Sequence, residues 1–375
     1  MDGARVAAFT DTYHPTINGV TYTVDTWREY WDRTGGRMDI VYPASSHDPL
    51  ETEHPVSSLP VPIYDGFRFG CPMIPRNLGP VDIVHAHTPF GLGIAGRRLA
   101  TRRDLPFVVS YHTPTPAYAG YLTSRQPFER CVRSLATGYE RRFLETADRI
   151  VVPTSWTAQR LRQLVETVPV HVVSNGVDTQ QFAPRPAEAR TIRSKLDIPD
   201  GQTVVGYTGR HGHEKDLETT IEAVDGLDRD LTVVLAGDGP ARQRLERLAT
   251  ASDVRILFPG FVDRDRLPAL YSLFDLFFFP SPVETQGLVA LESIACGTPV
   301  VATSAGALSE TIDDGATGLT VPSGDVIAFR GAIESVLDHL DQYARTCLGR
   351  RSQLDVTASI DELAAVYDDA RQEGQ

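Results

Sequence analysis

The chain has 375 residues, is 41% hydrophobic and 23% charged, and carries a net charge of −13. That length predicts two or three domains, and the balance of apolar and charged residues excludes a disordered chain. No apolar run approaches the roughly 20 residues that span a bilayer, and no part of the chain has the strongly basic balance that nucleic-acid binding requires.

The segment Met1–Thr10 holds too short an apolar stretch for a secretory signal and reads as a first strand, Val6–Phe9, which points to a cytoplasmic protein. Strand candidates continue at Met38–Tyr42, Ile83–His87, Phe107–Tyr111, Ile150–Pro153 and Val170–Val173, with a helical pattern over Arg125–Ala147. Phe182–Glu188 contains two prolines and suits a linker. A second series follows at Val204–Thr208, Thr232–Ala236, Val254–Phe258, Leu276–Phe279, Pro299–Ala302 and Gly318–Val321. Its helical patterns include Leu217–Val224 and Ala241–Ala249, and a last one, Leu354–Ala370, has no strand after it. Alternation of this kind predicts an α/β protein of two Rossmann-like domains, 1–183 and 184–353, facing each other across a cleft. Ligands of such sheets bind beyond the carboxyl ends of the strands.

Charge is uneven. Residues 1–183 hold 18 Arg against 18 Asp and Glu, so the remainder carries the whole −13. Only two lysines occur, Lys195 and Lys215. Such a surface fits either a salt-adapted protein or the Arg bias of a GC-rich genome. The four cysteines, Cys71, Cys131, Cys296 and Cys347, have no paired spacing and read as buried free thiols.

Chemistry concentrates in the loops that follow strands. Glu284-Thr285-Gln286-Gly287-Leu288-Val289-Ala290-Leu291-Glu292 places one glutamate ahead of a helix and a second about one turn inside it. A helix start offers N–H groups to anionic or sugar oxygens; a capping carboxylate followed by a solvated glutamate is the plain alternative. Gly209-Arg210-His211-Gly212-His213-Glu214-Lys215 follows another strand and supplies two cations, Arg210 and Lys215, suited to an anionic ligand; two surface cations near a helix start are the plain alternative. Gly237 and Gly260 lie in further strand-end loops, Gly19 opens a helix after Tyr13, His14 and Asn18, and His112 ends the run Ser110-Tyr111-His112. No histidine or cysteine arrangement suggests a metal.

These motifs resemble the E-x7-E family of retaining glycosyltransferases, family 4 of the GT-B fold. The resemblance extends to Cys296-Gly297-Thr298-Pro299-Val300-Val301-Ala302 and Asp314-Gly315-Ala316-Thr317-Gly318-Leu319 and covers most of the chain. It implies an N-terminal acceptor-binding domain, a C-terminal nucleotide-sugar-binding domain and a C-terminal helix, 354–375, packing back toward the first. It assigns the donor sugar to Glu284 and His112, the ribose to Glu292, and the diphosphate to Arg210 and Lys215. The backbones of Gly19, Gly287, Leu288 and Val289 would meet phosphate or sugar, Gly237 and Gly260 would lie near the nucleotide and its base, and Tyr13, His14 and Asn18 would border the acceptor. The implied substrate is a UDP-hexose, with no cofactor and no metal. No carboxylate nucleophile is evident, which favours a front-face route to retention.

Residues 93–145 hold nine Arg against four acids, a net of +5, with Leu122, Phe128, Val132, Leu135 and Tyr139 interleaved. This stretch predicts docking on an anionic membrane, peripherally on the inner face of the cell membrane, with a lipid as acceptor; a solvated helix over a core stripe is the alternative. Tyr111-His112 with Glu284–Leu288 resembles enzymes that glucosylate diacylglycerol, and Asn18-Gly19-Val20 those that build sulfolipid and phosphatidylinositol mannosides. A soluble or glycan acceptor, a UDP-sugar epimerase on the same fold, and a non-catalytic nucleotide-sugar-binding protein remain the competing readings.

Overall fold

In the computed structural model, which describes residues 3–60, 68–112 and 126–373, all the apolar runs named above become strands. The first-half strands are β1 (Arg5–Phe9), β2 (Arg37–Pro43), β3 (Glu53–Val56), β4 (Ser58–Pro60), β5 (Arg68–Gly70), β6 (Ile83–Ala86), β7 (Phe107–Ser110), β8 (Arg149–Val152) and β9 (Val170–Val172). Seven of them form one parallel sheet in the order β3-β2-β1-β6-β7-β8-β9, while β4 and β5 pair antiparallel by themselves. The second half gives β10 (Thr203–Thr208), β11 (Leu231–Ala236), β12 (Arg255–Gly260), β13 (Leu276–Phe279), β14 (Val300–Thr303) and β15 (Gly318–Val321), parallel in the order β12-β11-β10-β13-β14-β15.

Alternate residues of a strand face opposite sides of its sheet, and both sides of the first sheet are buried. Val6, Ala8, Met38 and Ile40 pack with Trp27, Trp31 and the helix Val356–Glu373. Ala7, Phe9, Val84 and Ala86 pack with Leu92, Ala95, Leu99 and Phe143. Near-continuous apolar strands are the signature of sheets covered on both faces. β3, Glu-His-Pro-Val, carries no such run; its proline is tolerated because it pairs only with β2 at the sheet edge.

One compact unit comprises Met1–Asn175 with Val356–Gln375, and the other Gly176–Asp355. The boundary thus falls eight residues before the expected 183/184. Val177 N donates to Leu354 O at 2.9 Å, and Val177 and Phe182 are buried in the core of the second unit. The proline-containing stretch is not a linker: Pro186 opens the helix Pro186–Lys195, where its missing N–H costs nothing. The helix Val356–Glu373 counts with the first unit, burying Ile360, Leu363 and Tyr367 there.

Each sheet reverses its strand order once, between β1 and β6 in the first and between β10 and β13 in the second. Such switch points leave crevices at the carboxyl ends of the strands. The loops after these four strands carry most of the motif residues.

Candidate active site

In the second unit the loops after β10, β11 and β12 are tied together by their backbones. Gly209 N donates to Ala236 O at 3.0 Å, His211 N to Asp238 O at 2.8 Å, and Gly237 N to Gly260 O at 2.7 Å. The approach is close enough that a Cβ on Gly237 would lie 1.9 Å from Gly209 O, and φ at Gly237 is +125°. Only glycine fits there. Arg210 and Lys215 project from this platform. Arg210 Nη2 donates to Glu214 Oε1 at 2.5 Å.

Across the switch point, Lys215 Nζ donates to Glu284 Oε1. Sixty-nine residues separate the two in sequence; the parallel pairing of β10 with β13 brings their loops together. Both side chains are mostly buried, Lys215 at 20% and Glu284 at 14% exposure. Gly287 caps the following helix, Leu288–Ala295, with φ +85°, and Leu308 and Phe279 lie 2.6 and 2.8 Å from where its Cβ would sit. Ala290 N and Leu291 N turn back to Gly287 O, so the N–H groups of Leu288 and Val289 precede the helical ladder.

Glu292 is placed differently from Glu284. It is 1% exposed, with Arg264 Nη1 on Oε1 at 2.8 Å and the Tyr271 hydroxyl on Oε2 at 2.8 Å. Tyr271 in turn meets Thr208 Oγ1 at 2.8 Å, at the end of β10. Burial pushes the Glu292 carboxyl up, and the charge of Arg264 with the Tyr271 bond opposes it. Arg264 and Tyr271, the partners of Glu292, are residues that no motif announced. The only signal for them is tertiary, 28 and 21 residues away from Glu292.

In the first unit, Asn18 caps the helix Gly19–Arg33. Its Oδ1 accepts from Val20 N and Thr21 N at 3.0 Å each, and its Nδ2 donates to Thr12 Oγ1 at 2.7 Å. Both ends of that amide are therefore engaged, and an acceptor at Asn18 competes with the cap. Gly19 is exposed, and a Cβ there would meet nothing within 4 Å. The fold itself does not demand that glycine. Tyr13 is buried at 3% exposure, its hydroxyl bonded to Asp25 Oδ1 at 2.5 Å and Glu53 Oε1 at 2.9 Å. His14 is half-buried and pairs through Nε2 with Asp25, which holds its pKa up.

His112, half-buried, stands beside two fully buried histidines. His87 Nδ1 and His112 Nε2 are 3.0 Å apart, and the His85 and His87 rings stack at 4.2 Å. His85 meets the Tyr367 hydroxyl at 2.6 Å and Ser110 Oγ at 2.8 Å. Burial pushes the pKa of His112 down to about 4 and that of His85 to about 3, so both are neutral at pH 7. Asp11, which no motif marked, is a buried carboxylate accepting from Thr88 Oγ1 at 2.7 Å and from Leu92 N at 3.1 Å. It thereby holds the start of the helix Gly91–Arg103, whose own N-cap residue, Phe90, supplies no side-chain bond. Burial pushes Asp11 up to about 6.

On the helix Gln126–Leu144, Leu135 is 69% and Tyr139 40% exposed, with Arg133, Arg141 and Arg142 also exposed. Leu122 and Arg125, and the side chain of Phe128, lie outside the described residues. Among the described residues no group of three or more His, Cys, Asp or Glu is arranged to hold a metal, and no helix is long and apolar enough to cross a membrane. Cys296 and Cys347 are buried free thiols; Cys71 is only half-buried, and the side chain of Cys131 lies outside the described residues.

Two family models match the chain, Glycosyltransferase Family 4 over residues 17–181 and Glycosyl transferases group 1 over residues 188–347. The chain is 30% identical over 391 aligned positions to a GDP-mannose-dependent alpha-mannosyltransferase of Mycobacterium tuberculosis, covering 99% of this chain and 98% of that protein. It is 27% identical to an alpha-monoglucosyldiacylglycerol synthase of Streptococcus pneumoniae, over 83% of this chain and 73% of the other. In structure it resembles a sucrose-phosphate synthase from Thermosynechococcus elongatus, with a TM-score of 0.79 at 22% identity over 98% of both chains.

Proposed function

The chain belongs to glycosyltransferase family 4 and has its α/β GT-B fold, and on that premise we propose that it moves a hexose from UDP-hexose to a membrane lipid, with retention at the anomeric carbon. The observation that carries this reading is the Lys215–Glu284 pair at the β10/β13 switch point, with Arg210 on the same platform. A carboxylate there accepts from sugar hydroxyls, and two cations neutralise a departing diphosphate.

In the proposed reaction the bond from the anomeric carbon to the β-phosphate oxygen breaks, and the acceptor hydroxyl adds on the same face. The departing phosphate oxygen takes the acceptor proton, so no cofactor or metal enters. Arg210 and Lys215 hold the diphosphate, while Glu284 and His112 hold the sugar. Backbone N–H groups of Leu288 and Val289, with the backbones of Gly287 and Gly19, face phosphate or sugar. Gly237 and Gly260 shape the loops beside the nucleotide. Glu292 serves the ribose by exchanging a partner, Arg264 or Tyr271, for a ribose hydroxyl. His14 and Asn18 border the acceptor; Tyr13, expected beside them, is buried with its hydroxyl on Asp25 and Glu53 and supports them from within the first unit.

The lipid acceptor is supported by the exposed Leu135 and Tyr139 among arginines and by the name of the Streptococcus relative. Such a helix supports a peripheral position on the inner, anionic face of the cell membrane. The Mycobacterium relative uses GDP-mannose, so the base is the first variable to test. The deciding assay measures nucleotide release from UDP- and GDP-hexoses, with and without lipid vesicles. Release from UDP-hexose that requires diacylglycerol-containing vesicles is the expected result. Release that is fastest with a soluble acceptor and indifferent to vesicles refutes the lipid assignment, and sugar conversion without any acceptor indicates an epimerase. Sedimentation with anionic vesicles, lost on converting Arg133, Arg141 and Arg142 to Glu, is the expected companion result.

A further inference from the structure

The hydrogen bond between His87 and His112 holds more information than its length. The two rings are nearly coplanar, with an 11° angle between planes and centroids 5.3 Å apart, and His87 Nδ1 faces His112 Nε2 at 3.0 Å. One proton lies between these atoms. Both rings are neutral at pH 7, since burial holds His87 well below its ordinary pKa and His112 at about 4. Each ring therefore carries one N–H, and only two arrangements place a proton in the shared bond.

In the first arrangement His87 Nδ1–H donates to His112 Nε2. His87 Nε2 is then a bare lone pair, and His112 holds its own proton on Nδ1. In the second, His112 Nε2–H donates to His87 Nδ1, and the proton of His87 must sit on Nε2. That nitrogen is buried and has no hydrogen-bond partner among the described residues. At His87 Nε2 the second arrangement thus buries an N–H with no acceptor, whereas the first leaves only an unused lone pair there. Orphaned buried donors are the rarer and costlier of the two. The ring of His87 is not free to turn and correct this. Its backbone N is bonded to Phe9 O at 2.8 Å, His85 stacks on it at 4.2 Å, and Trp27 lies 6.0 Å away, itself anchored through Nε1 to Asn175 O at 2.9 Å.

We infer that His87 is a positioning residue that locks His112 in the Nδ1–H tautomer, so that His112 meets the donor sugar as a hydrogen-bond donor toward a sugar oxygen. This rests on the reading of His112 as a sugar contact and adds which atom acts and what orients it. The geometry has the logic of an orienting group behind a working imidazole, here with a second imidazole in place of the usual carboxylate.

The test begins on the unmodified full chain. Long-range proton–nitrogen correlation on histidine-labelled protein at pH 7 is expected to show His112 Nε2 bare and Nδ1 protonated. A proton on His112 Nε2 overturns the inference whether or not any variant folds. His87→Phe keeps an apolar ring in the stack and removes the donor, and it is expected to lower turnover about tenfold, the scale of one lost hydrogen bond. His87→Asn places an amide N–H where Nδ1 stood and is expected to restore turnover to within about twofold, with the His112 tautomer unchanged. His112→Ala separates the two claims. If it slows turnover while His87→Phe does not, the positioning role is overturned and the sugar contact stands. If His112→Ala turns over like the parent, the sugar contact itself falls, and the positioning role with it.

Discussion

Lys215 and Glu284 illustrate how much a single residue's meaning depends on what faces it. In sequence, Lys215 is one of two lysines in a chain of 36 basic residues. In the fold it is an ammonium held against a carboxylate, both side chains mostly buried. Such a pair is poised for a substrate that needs both signs, an anionic leaving group and hydroxyl donors. Lys215→Ala is accordingly expected to lower kcat by on the order of 100-fold, the usual scale for one lost charge stabiliser, with a smaller effect on KM for the donor. Steady-state kinetics check it; an unchanged kcat removes Lys215 from the leaving-group role. Gly19 gives the opposite kind of test. It opens a helix and has empty space where a Cβ would point. Ala has the higher helix propensity, so Gly19→Ala is expected to stabilise the protein by about 0.5–1 kcal/mol in urea denaturation. If a ligand's phosphate or sugar lies against that backbone, the same variant loses activity. Gain of stability together with full activity would show that nothing approaches there.

At the scale of elements, Asp11 joins the loop after β1 to the helix that follows β6, one on each side of the first switch point. Its folded pKa of about 6 lies above the ordinary 3.8 because burial penalises the charged form. Between those values the native state holds a proton that the unfolded chain has released, so stability falls as pH rises from 4 to 6 and is level above that. Asp11→Asn removes this dependence. The unfolding free energy of the variant is therefore expected to gain on the parent across that range, by at most about 3 kcal/mol. A difference that is constant from pH 4 to pH 6 would exclude Asp11 as the source.

Asp11 also shows where sequence reading stops. Twelve strands were legible because both sheets are buried on both faces, which writes short apolar runs into the chain. Gly237 and Gly287 were legible because tight strand-end turns admit little else. β3 and the β4/β5 pair were not, since an edge strand containing proline and a three-residue pair carry no such run. Asp11, Arg264 and Tyr271 were illegible for another reason. Their partners are fixed by tertiary contact at separations of 77, 28 and 21 residues, and no local pattern records them.

At the scale of the whole molecule, the first unit is discontinuous and the second is inserted in it. The chain leaves the first unit after Asn175 and returns at Val356, and at this crossing Val177 and Asp355 form a parallel bridge. The entry and exit of the second unit are fastened to each other by Val177 N to Leu354 O, by Thr179 on Asp355 and by Arg351 on Thr179 O. A unit whose ends meet in this way is expected to fold alone. The first unit is not equivalent, because it needs the last helix. Val356, Ile360, Leu363, Val366 and Tyr367 bury their side chains against Val6, Ala8, Trp27 and Trp31, and burial of each large apolar side chain is worth about 1.5–3 kcal/mol. Their combined loss is comparable to the whole stability of an ordinary domain, about 5–15 kcal/mol. Three fragments test this. Gly176–Asp355 is expected to unfold cooperatively and to be stabilised by the matching nucleotide through mass action, about 2.7 kcal/mol at a hundredfold excess over Kd. Residues 1–175 alone are expected to lack a cooperative transition. The same residues joined by a short glycine–serine linker to Val356–Gln375 are expected to regain it, because the crossing places the two ends side by side. A cooperative transition in residues 1–175 alone would show that the last helix is a passenger on the first unit and not part of its core.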